Sequence, residues 1–131
     1  MLFHHLGIFV KSIDESTIIF SRDLKAQKIS EVILDKDLGV KVQFFKGKNG
    51  ITYELVEGFG KKNPVTNILE QNKNILNHVA YTTNQFDVQL DELNKLGYIK
   101  ISNVSKSVAF NGNRIVFLIS PLNFIIELIE N

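Results

Sequence analysis

The 131-residue sequence contains no cysteine, which excludes disulfide bonds and thiol catalysis and fits a reducing compartment. It also lacks a strong charge of either sign: 15 lysines and arginines stand against 14 acidic residues, and the net charge is +1, so a nucleic-acid partner is disfavoured. No apolar run approaches the ~18 residues that span a bilayer. The first residues lack the basic and apolar segments of a signal peptide. We therefore expect a cytoplasmic protein without a nucleic-acid or membrane partner.

Two short strings recur in the sequence, each with a second copy further along the chain. His5 opens the string His-Leu-Gly-Ile and His78 opens His-Val-Ala-Tyr, while Glu54 lies in Tyr-Glu-Leu-Val-Glu and Glu127 in Ile-Glu-Leu-Ile-Glu. The shift along the chain that takes His5 to His78 also takes Glu54 to Glu127, so the spacing from histidine to glutamate is the same in both copies. The chain is therefore interpreted as two copies of one unit, and its two imidazoles and two carboxylates form a suitable ligand set for one divalent metal ion.

The first repeat, residues 1–58, has the pattern of a strand, a helix and three further strands. Residues 2–10 are apolar and β-prone, and a capping box from Ser12 to Glu15 predicts that a helix follows. The spacing of apolar residues predicts a buried helix stripe of Ile18, Ile19, Phe20 and Leu24. Strand-like runs follow at residues 29–34, 40–45 and 51–57.

The second repeat, residues 75–131, follows the same order after a polar linker, residues 59–74, in which a short helix is expected to open at Pro64. A strand is predicted at residues 75–82, and a helix that ends at Gly97 comes after it. The apolar face of this helix should consist of Phe86, Leu90, Leu93 and Leu96. Further strands are predicted at residues 98–101, 107–110, 115–119 and 124–129.

Half of this chain would be marginally stable alone, so the two repeats should share one core and form a single domain, residues 1–131. The predicted class is α+β: two βαβββ repeats form a curled, partly open, eight-stranded mixed β-sheet, or cup, with the helices outside. Strand alternation puts His5, Glu54 and Glu127 on faces opposite the apolar positions that should meet the helices. Inside the cup they would converge with His78, where a metal ion would provide a partner for buried charge.

The four strings resemble the ligand-bearing strands of the vicinal oxygen chelate superfamily, which includes glyoxalase I, methylmalonyl-CoA epimerase, extradiol dioxygenases and bleomycin-resistance proteins. The resemblance covers nearly the whole chain. It implies that one divalent ion, cobalt, nickel, zinc or manganese, is bound, and that the protein is a homodimer. By matching position, the metal ligands would be His5, Glu54, His78 and Glu127.

Within the superfamily, residues 112–118 and the Ser-Pro pair that follows are similar to the end of methylmalonyl-CoA epimerases. This resemblance implies removal of a proton next to a carbonyl of an acyl-CoA thioester, with an enolate or enediolate intermediate and Glu127 as the base. Some epimerases carry an additional acid on an earlier strand, and residues 39–43 contain none. Gln43 in this run can hold a ligand but cannot take a proton, so the resemblance does not extend to the second base of a two-base racemisation.

Other functions stay open. A glyoxalase I-type lactoylglutathione lyase would act on a hemithioacetal with the same four ligands. A bleomycin-resistance-like protein would bind a drug without turnover, and such proteins generally lack a complete ligand set. Thiol transfer to an antibiotic such as fosfomycin fits a three-ligand site better, and a dioxygenase prefers Fe(II) held by two histidines and one carboxylate.

The remaining candidate residues are expected around the metal. Phe9, Phe44 and Gln43 are candidate substrate-binding residues, and Arg114 is expected either to form a surface ion pair or to meet a substrate carboxylate or phosphate. No glycine-rich phosphate loop supports binding of a coenzyme A tail. His4 is expected to face away from its neighbour His5. Glu57 and Glu130 are expected to be solvated.

Overall fold

The computed structural model describes residues 1–70 and 74–131, and within them it contains ten strands and three α-helices. The first elements are β1 (Leu2–Val10), α1 (Ile13–Asp23), β2 (Gln27–Lys28), β3 (Ile33–Asp35), β4 (Val40–Lys46) and β5 (Thr52–Gly58). The remaining elements are α2 (Pro64–Leu69), β6 (Ile75–Thr83), α3 (Phe86–Lys95), β7 (Ile99–Lys100), β8 (Ser105–Lys106), β9 (Arg114–Ile119) and β10 (Ile125–Glu130).

The strands form an open, mixed sheet in the order β2-β4-β5-β1-β6-β10-β9-β7, with β3 also paired to β4 and β8 to β9. β1 runs parallel to β5, and β6 runs parallel to β10. The pairs β4 with β5 and β9 with β10 are antiparallel. This architecture confirms the predicted α+β class and its mixed sheet, although the described residues hold ten strands where eight were expected.

Two predicted strands differ in the structure. The run at residues 29–34 is replaced by the short strands β2 and β3, and the run at residues 107–110 is largely a 3₁₀ helix, Val108–Phe110. The backbone turns there because Asn111 and Gly112 adopt positive φ angles of 56° and 82°. The Ser107 carbonyl accepts hydrogen bonds from the amides of Phe110 (3.2 Å) and Gly112 (2.8 Å), which uses the backbone groups that a strand would need.

The chain divides into two compact units, one of Leu6–Leu76 and the other of Met1–His5 with Asn77–Asn131. In the first of these, α1 packs on a core of Val10, Ile13, Ala26, Phe45 and Leu55, with Phe20 at its edge. The helix begins at the predicted place, since the Ser12 hydroxyl accepts from the Glu15 amide at 3.2 Å.

The predicted stripe on α1 is wrong in three of its four positions. Ile18, Ile19 and Leu24 are 67%, 47% and 44% exposed. The helix faces the sheet with Ile13, Ser16 and Phe20, which follow the i, i+3, i+7 spacing of one helical face, and the two isoleucines project beside that face.

In the unit of Met1–His5 and Asn77–Asn131, α3 packs on an apolar cluster. Its buried members are Phe86, Leu93, Val116, Leu118, Ile126 and Leu128, and Leu90 is partly buried against them. The helix ends before Gly97, as predicted, and this glycine has a φ of 93° that favours it over other residues. Leu96 was expected in the apolar face but is 70% exposed.

The linker contains the predicted short helix, α2. Asn63 caps it, since the Asn63 side-chain oxygen accepts from the amides of Val65 (3.0 Å) and Thr66 (2.8 Å), and Pro64 occupies the first turn where no amide donor is needed. Residues 71–73 of the linker lie outside the described part of the chain. In the residues that are described, no helix is both long and apolar enough to cross a membrane.

Candidate metal centre

Three buried polar side chains meet within the unit of Met1–His5 and Asn77–Asn131. The Nε2 atoms of His5 and His78 are 3.3 Å apart. The Oε2 atom of Glu127 lies 3.4 Å from the first nitrogen and 3.3 Å from the second. The three residues are only 0%, 3% and 2% exposed, so neither the nitrogens nor the carboxylate are solvated.

Strand alternation explains why Glu127 points to the histidines. Glu127 is opposite Ala80 in the parallel pairing of β10 with β6, and Ala80 lies on the same face of β6 as His78. The neighbours of Glu127 in sequence, Ile126 and Leu128, point to the other face and pack under α3. The hydrophobic core thus fixes the strand so that its acid must point away from the helix.

Glu54 has the same arrangement in the unit of Leu6–Leu76. It is 6% exposed and lies opposite Gly7 of β1 and Phe44 of β4. Its neighbour Leu55 is fully buried in the core under α1, so the carboxylate points away from that helix. Both predicted placements of the acids, opposite the helix-packing positions, are therefore observed.

The donor set is suited to a metal ion. Within the unit of Met1–His5 and Asn77–Asn131, His5, His78 and Glu127 each offer one ligand atom, and these atoms all lie within 4.8 Å of one another. Among the described residues, Oε2 of Glu127 is a buried side-chain atom without a hydrogen bond. Ligands bound about 2.1 Å from one ion are about 3.0 to 3.4 Å apart at octahedral or tetrahedral angles, which matches the separations among His5, His78 and Glu127. An ion would satisfy an oxygen that otherwise lacks a partner.

Each histidine is contacted by the residue that precedes it. The Nδ1 atom of His78 lies 2.9 Å from Oδ1 of Asn77, and the Nδ1 atom of His5 lies 2.8 Å from Nδ1 of His4. The prediction that His4 faces away from His5 is therefore wrong, because its ring turns back to its neighbour. The contact of Asn77 with the His78 ring was not predicted. The sequence did hold a signal for it, because Asn77 is the repeat equivalent of His4.

Aromatic rings line the histidines. Phe110 stacks on His5 with ring centroids 5.9 Å apart, and Phe117 meets His78 edge-on at 5.3 Å. Phe117 is opposite Glu127 in the strand register, as Phe44 is opposite Glu54. Phe117 was not among the predicted site residues, but it is the repeat equivalent of Phe44, under the same shift along the chain that relates the ligands.

The predicted substrate-binding residues of the Leu6–Leu76 unit are on different faces. Phe44 lies directly opposite Glu54, and Phe9 lies opposite Val56 on the same face of the sheet. Gln43 is opposite Leu55 on the helix-packed face, and its side-chain amide donates to the Ser30 carbonyl at 3.0 Å. Substrate contact remains a prediction for all three, and the placement of Gln43 gives it no support.

Arg114 is held in an ion-pair network. Its guanidinium donates to Asp87 at 3.0 Å and to Glu130 at 2.8 Å and lies 4.6 Å from the centroid of the Phe86 ring. The hydrogen bonds that it donates to Glu130 and Asp87 raise the pKa of Arg114. The same guanidinium lowers the pKa of Glu130. A substrate contact by Arg114 stays a prediction, and it would have to compete with two carboxylates.

Glu57 and Glu130 are not simply solvated, contrary to expectation. Glu57 pairs with Lys41 at 2.7 Å and accepts a hydrogen bond from the Ile13 amide at 2.8 Å, at the start of α1. Lys41 and Arg114 are themselves repeat equivalents, as are the two glutamates. The duplication therefore extends to the ion pairs that connect the strands to the first turn of the neighbouring helix, α1 in one unit and α3 in the other.

The sequence matches the Glyoxalase/Bleomycin resistance protein/Dioxygenase superfamily over residues 4–122. The chain belongs to this superfamily. This membership confirms the resemblance that the ligand strings indicated. A comparison of the sequence with curated proteins found no match.

Several solved structures share the fold of the chain. A hypothetical protein from Bacillus halodurans is 20% identical, with a TM-score of 0.85 over 98% of this chain and 93% of that one. Methylmalonyl-CoA epimerase from Mycobacterium tuberculosis is 17% identical, with a TM-score of 0.82 over 98% and 86% of the two chains. A variant of the Streptomyces coelicolor epimerase, solved with 2-nitronate-propionyl-CoA, is 18% identical, with a TM-score of 0.82 over 100% and 97%.

Proposed function

We propose that this superfamily member is a divalent-metal-dependent enzyme that removes a proton next to a carbonyl, with an activity most like that of methylmalonyl-CoA epimerase. The observation that carries the proposal is the meeting of His5, His78 and Glu127 at 3.3 to 3.4 Å in the interior, where one carboxylate oxygen of Glu127 has no hydrogen bond from any described residue. Nitrogen and oxygen donors of this kind suit cobalt, nickel, zinc or manganese.

The proposed ligands are His5, Glu54, His78 and Glu127. When bound, the ion would stabilise negative charge on the substrate carbonyl oxygen and so acidify the neighbouring C–H. Glu127 is the proposed base, since a carboxylate beside the reacting carbon can take the proton and return it. Phe110 and Phe117, which pack against the histidine rings, would keep water from that carboxylate.

The proposed substrate is an acyl-CoA thioester, on the strength of the structural likeness to epimerases, one of which was solved with 2-nitronate-propionyl-CoA. We also propose that residues 1–131 act as one domain and that the protein works as a cytoplasmic homodimer. Phe9 and Phe44, on the face that carries Glu54, are the substrate-binding residues that the geometry supports.

A glyoxalase I-type lyase is a second candidate function, and one observation favours it. The strand positions that flank Glu54 on its own face are occupied by Phe44, Gly7, Thr52 and Val56, none of which can act as a second base. An epimerase that works with two bases would need a second acid near the substrate. Isomerisation of a hemithioacetal requires only one group that takes and returns the proton.

The test combines metal content with proton exchange. Protein purified without chelator should contain about one divalent ion per chain, and His78→Ala should contain little. Methylmalonyl-CoA in deuterated water should acquire deuterium at the carbon next to the thioester only with the metal-loaded protein. Turnover of methylglyoxal with a thiol, but no exchange into methylmalonyl-CoA, would select the lyase. Equal metal content in the wild type and His78→Ala would reject the ligand assignment, and drug binding without metal would become the better account.

A further inference from the structure

The residue before each proposed histidine ligand engages the ring nitrogen that faces away from the metal centre. His4 contacts Nδ1 of His5 at 2.8 Å, and Asn77 contacts Nδ1 of His78 at 2.9 Å. Adjacent side chains of a strand leave it on opposite faces, so strand geometry by itself does not produce such a contact. Because the contact is present at both repeat positions, 4 and 77, we look for its cause in the function of the histidine rings.

We propose that His4 and Asn77 are positioning residues, which orient the rings of His5 and His78 and keep the Nε2 atom of each ring free of a proton. This inference rests on the proposed function, because it treats both Nε2 atoms as metal ligands. Hydrogen bonds to the far nitrogen of a ligating histidine generally fix its tautomer and increase its basicity.

Asn77 determines the proton position on His78. The amide oxygen can only accept a hydrogen bond, so the Nδ1 atom of His78 must donate and must carry the proton. A neutral imidazole has one proton, and Nε2 of His78 is then left with a lone pair. This lone pair is directed to the place where Oε2 of Glu127 lies 3.3 Å away.

His4 has a less restricted role because an imidazole nitrogen can donate or accept. His5 presents a lone pair at Nε2 only if its own Nδ1 donates and the Nδ1 atom of His4 accepts. The protein would therefore hold His4 with its proton on Nε2 when the ion is bound. The His4 ring meets Phe110 edge-on at 5.6 Å, and Phe110 stacks on His5, so both rings are restrained in this orientation.

The two repeats suggest substitutions that keep or remove the hydrogen bond at each position. His4→Asn gives the first repeat the residue of the second, and Asn77→Asp keeps an acceptor, so both should retain positioning. Asn77→Ala and His4→Phe remove the hydrogen bond, and the second of these keeps an aromatic ring against Phe110. Asn84→Ala, at an exposed position just after β6, controls for loss of an asparagine.

The experiment measures zinc affinity by competition with a chromogenic chelator and the visible absorption band of the cobalt-loaded protein. Asn77→Ala and His4→Phe should each weaken zinc binding about 10- to 100-fold and shift the cobalt band. His4→Asn, Asn77→Asp and Asn84→Ala should stay within a few-fold of the wild type. A role limited to folding would lower thermal stability of the metal-free variants without changing the cobalt band of molecules that fold.

Two outcomes separate this inference from the proposed function. Unchanged affinity in both Asn77→Ala and His4→Phe, together with loss of zinc in His78→Ala, would overturn the positioning role and leave the metal centre intact. Unchanged zinc binding in His78→Ala would overturn both. The imidazole ¹⁵N chemical shifts of the metal-free wild type report which ring nitrogen carries the proton, and this measurement requires no substitution. A proton on Nε2 of His78 would contradict the inference that Asn77 holds the proton on Nδ1.

Discussion

The Nε2 atoms of His5 and His78 face each other at 3.3 Å in the interior of the protein. Two N–H groups directed at one another cannot occupy this separation, so at least one of these nitrogens carries no proton. The carboxylate of Glu127 is within 3.4 Å of both. A nitrogen lone pair and a carboxylate repel each other where no solvent separates them. We therefore expect the native fold to become more stable when a cation binds between these groups.

Divalent metal should raise the melting temperature of the protein. At a free ion concentration 100 times the dissociation constant, binding to the folded state alone contributes about 2.7 kcal/mol. For a domain of this size the shift in melting temperature is on the order of 10 °C. Scanning calorimetry with cobalt, nickel, zinc and manganese in turn measures it. His78→Ala should lose the shift and Asn84→Ala should keep it, whereas an equal shift in both variants would locate the bound ion elsewhere.

Glu127→Gln should separate metal binding from proton transfer. The amide oxygen still reaches the ion, but it cannot accept the substrate proton, so we expect metal binding that is weaker yet measurable and a fall in deuterium exchange of about 10²- to 10⁴-fold. Glu54→Gln makes the same chemical change at the other carboxylate and should retain more of the exchange at saturating metal. If the two variants lose exchange equally, the base cannot be assigned to Glu127.

The positions of the acids were predictable from sequence because they follow from alternation along a strand. Leu55 and Leu128 must be buried under the helices, and a side-chain period of two then sends Glu54 and Glu127 to the other face. The helix starts were likewise predictable where a local signal defines them, which is the cap at Ser12 and the proline at position 64.

What the sequence did not reveal depends on tertiary context. Ile18 and Ile19 are as apolar as buried residues, but they are exposed because α1 packs on the core with the face that carries Ile13 and Phe20. The contact of His4 with His5 depends on side-chain rotamers, which strand alternation does not specify. Apolar residues 108–110 form a 3₁₀ helix because the turn at Asn111 and Gly112 draws their backbone groups to Ser107.

Leu118→Ala should destabilise the fold by about 2 to 5 kcal/mol, because the side chain is fully buried in the cluster under α3 and its removal leaves a cavity. Leu122→Ala makes the same change at a residue that is 82% exposed and should stay within about 0.5 kcal/mol of the wild type. Urea unfolding with the midpoint and slope fitted separately measures both. Similar costs in the two variants would mean that Leu118 is not part of the core.

The pair of Arg114 and Glu130 should make stability depend on pH in the acidic range. The guanidinium lowers the pKa of Glu130 below the ordinary value of 4.5, so the folded state favours the ionised carboxylate more than the unfolded state does. That stabilisation is fully present above the unfolded pKa and is lost as the pH falls through the lowered pKa of the folded state. Because the pair is partly exposed, the effect should be small.

Glu130→Gln tests this directly, because it removes the charge while the side-chain oxygen can still accept from the Arg114 amide, which lies 3.2 Å from that position. The stability difference between the wild type and this variant, measured by urea unfolding from neutral to acidic pH, should be largest above 4.5 and should disappear at the acidic end. In an Arg114→Gln background the same substitution should show much less pH dependence, since the cation that lowers the pKa is gone. A difference that persists unchanged at the acidic end, or that survives in that background, would assign the effect of Glu130 to packing and not to its charge.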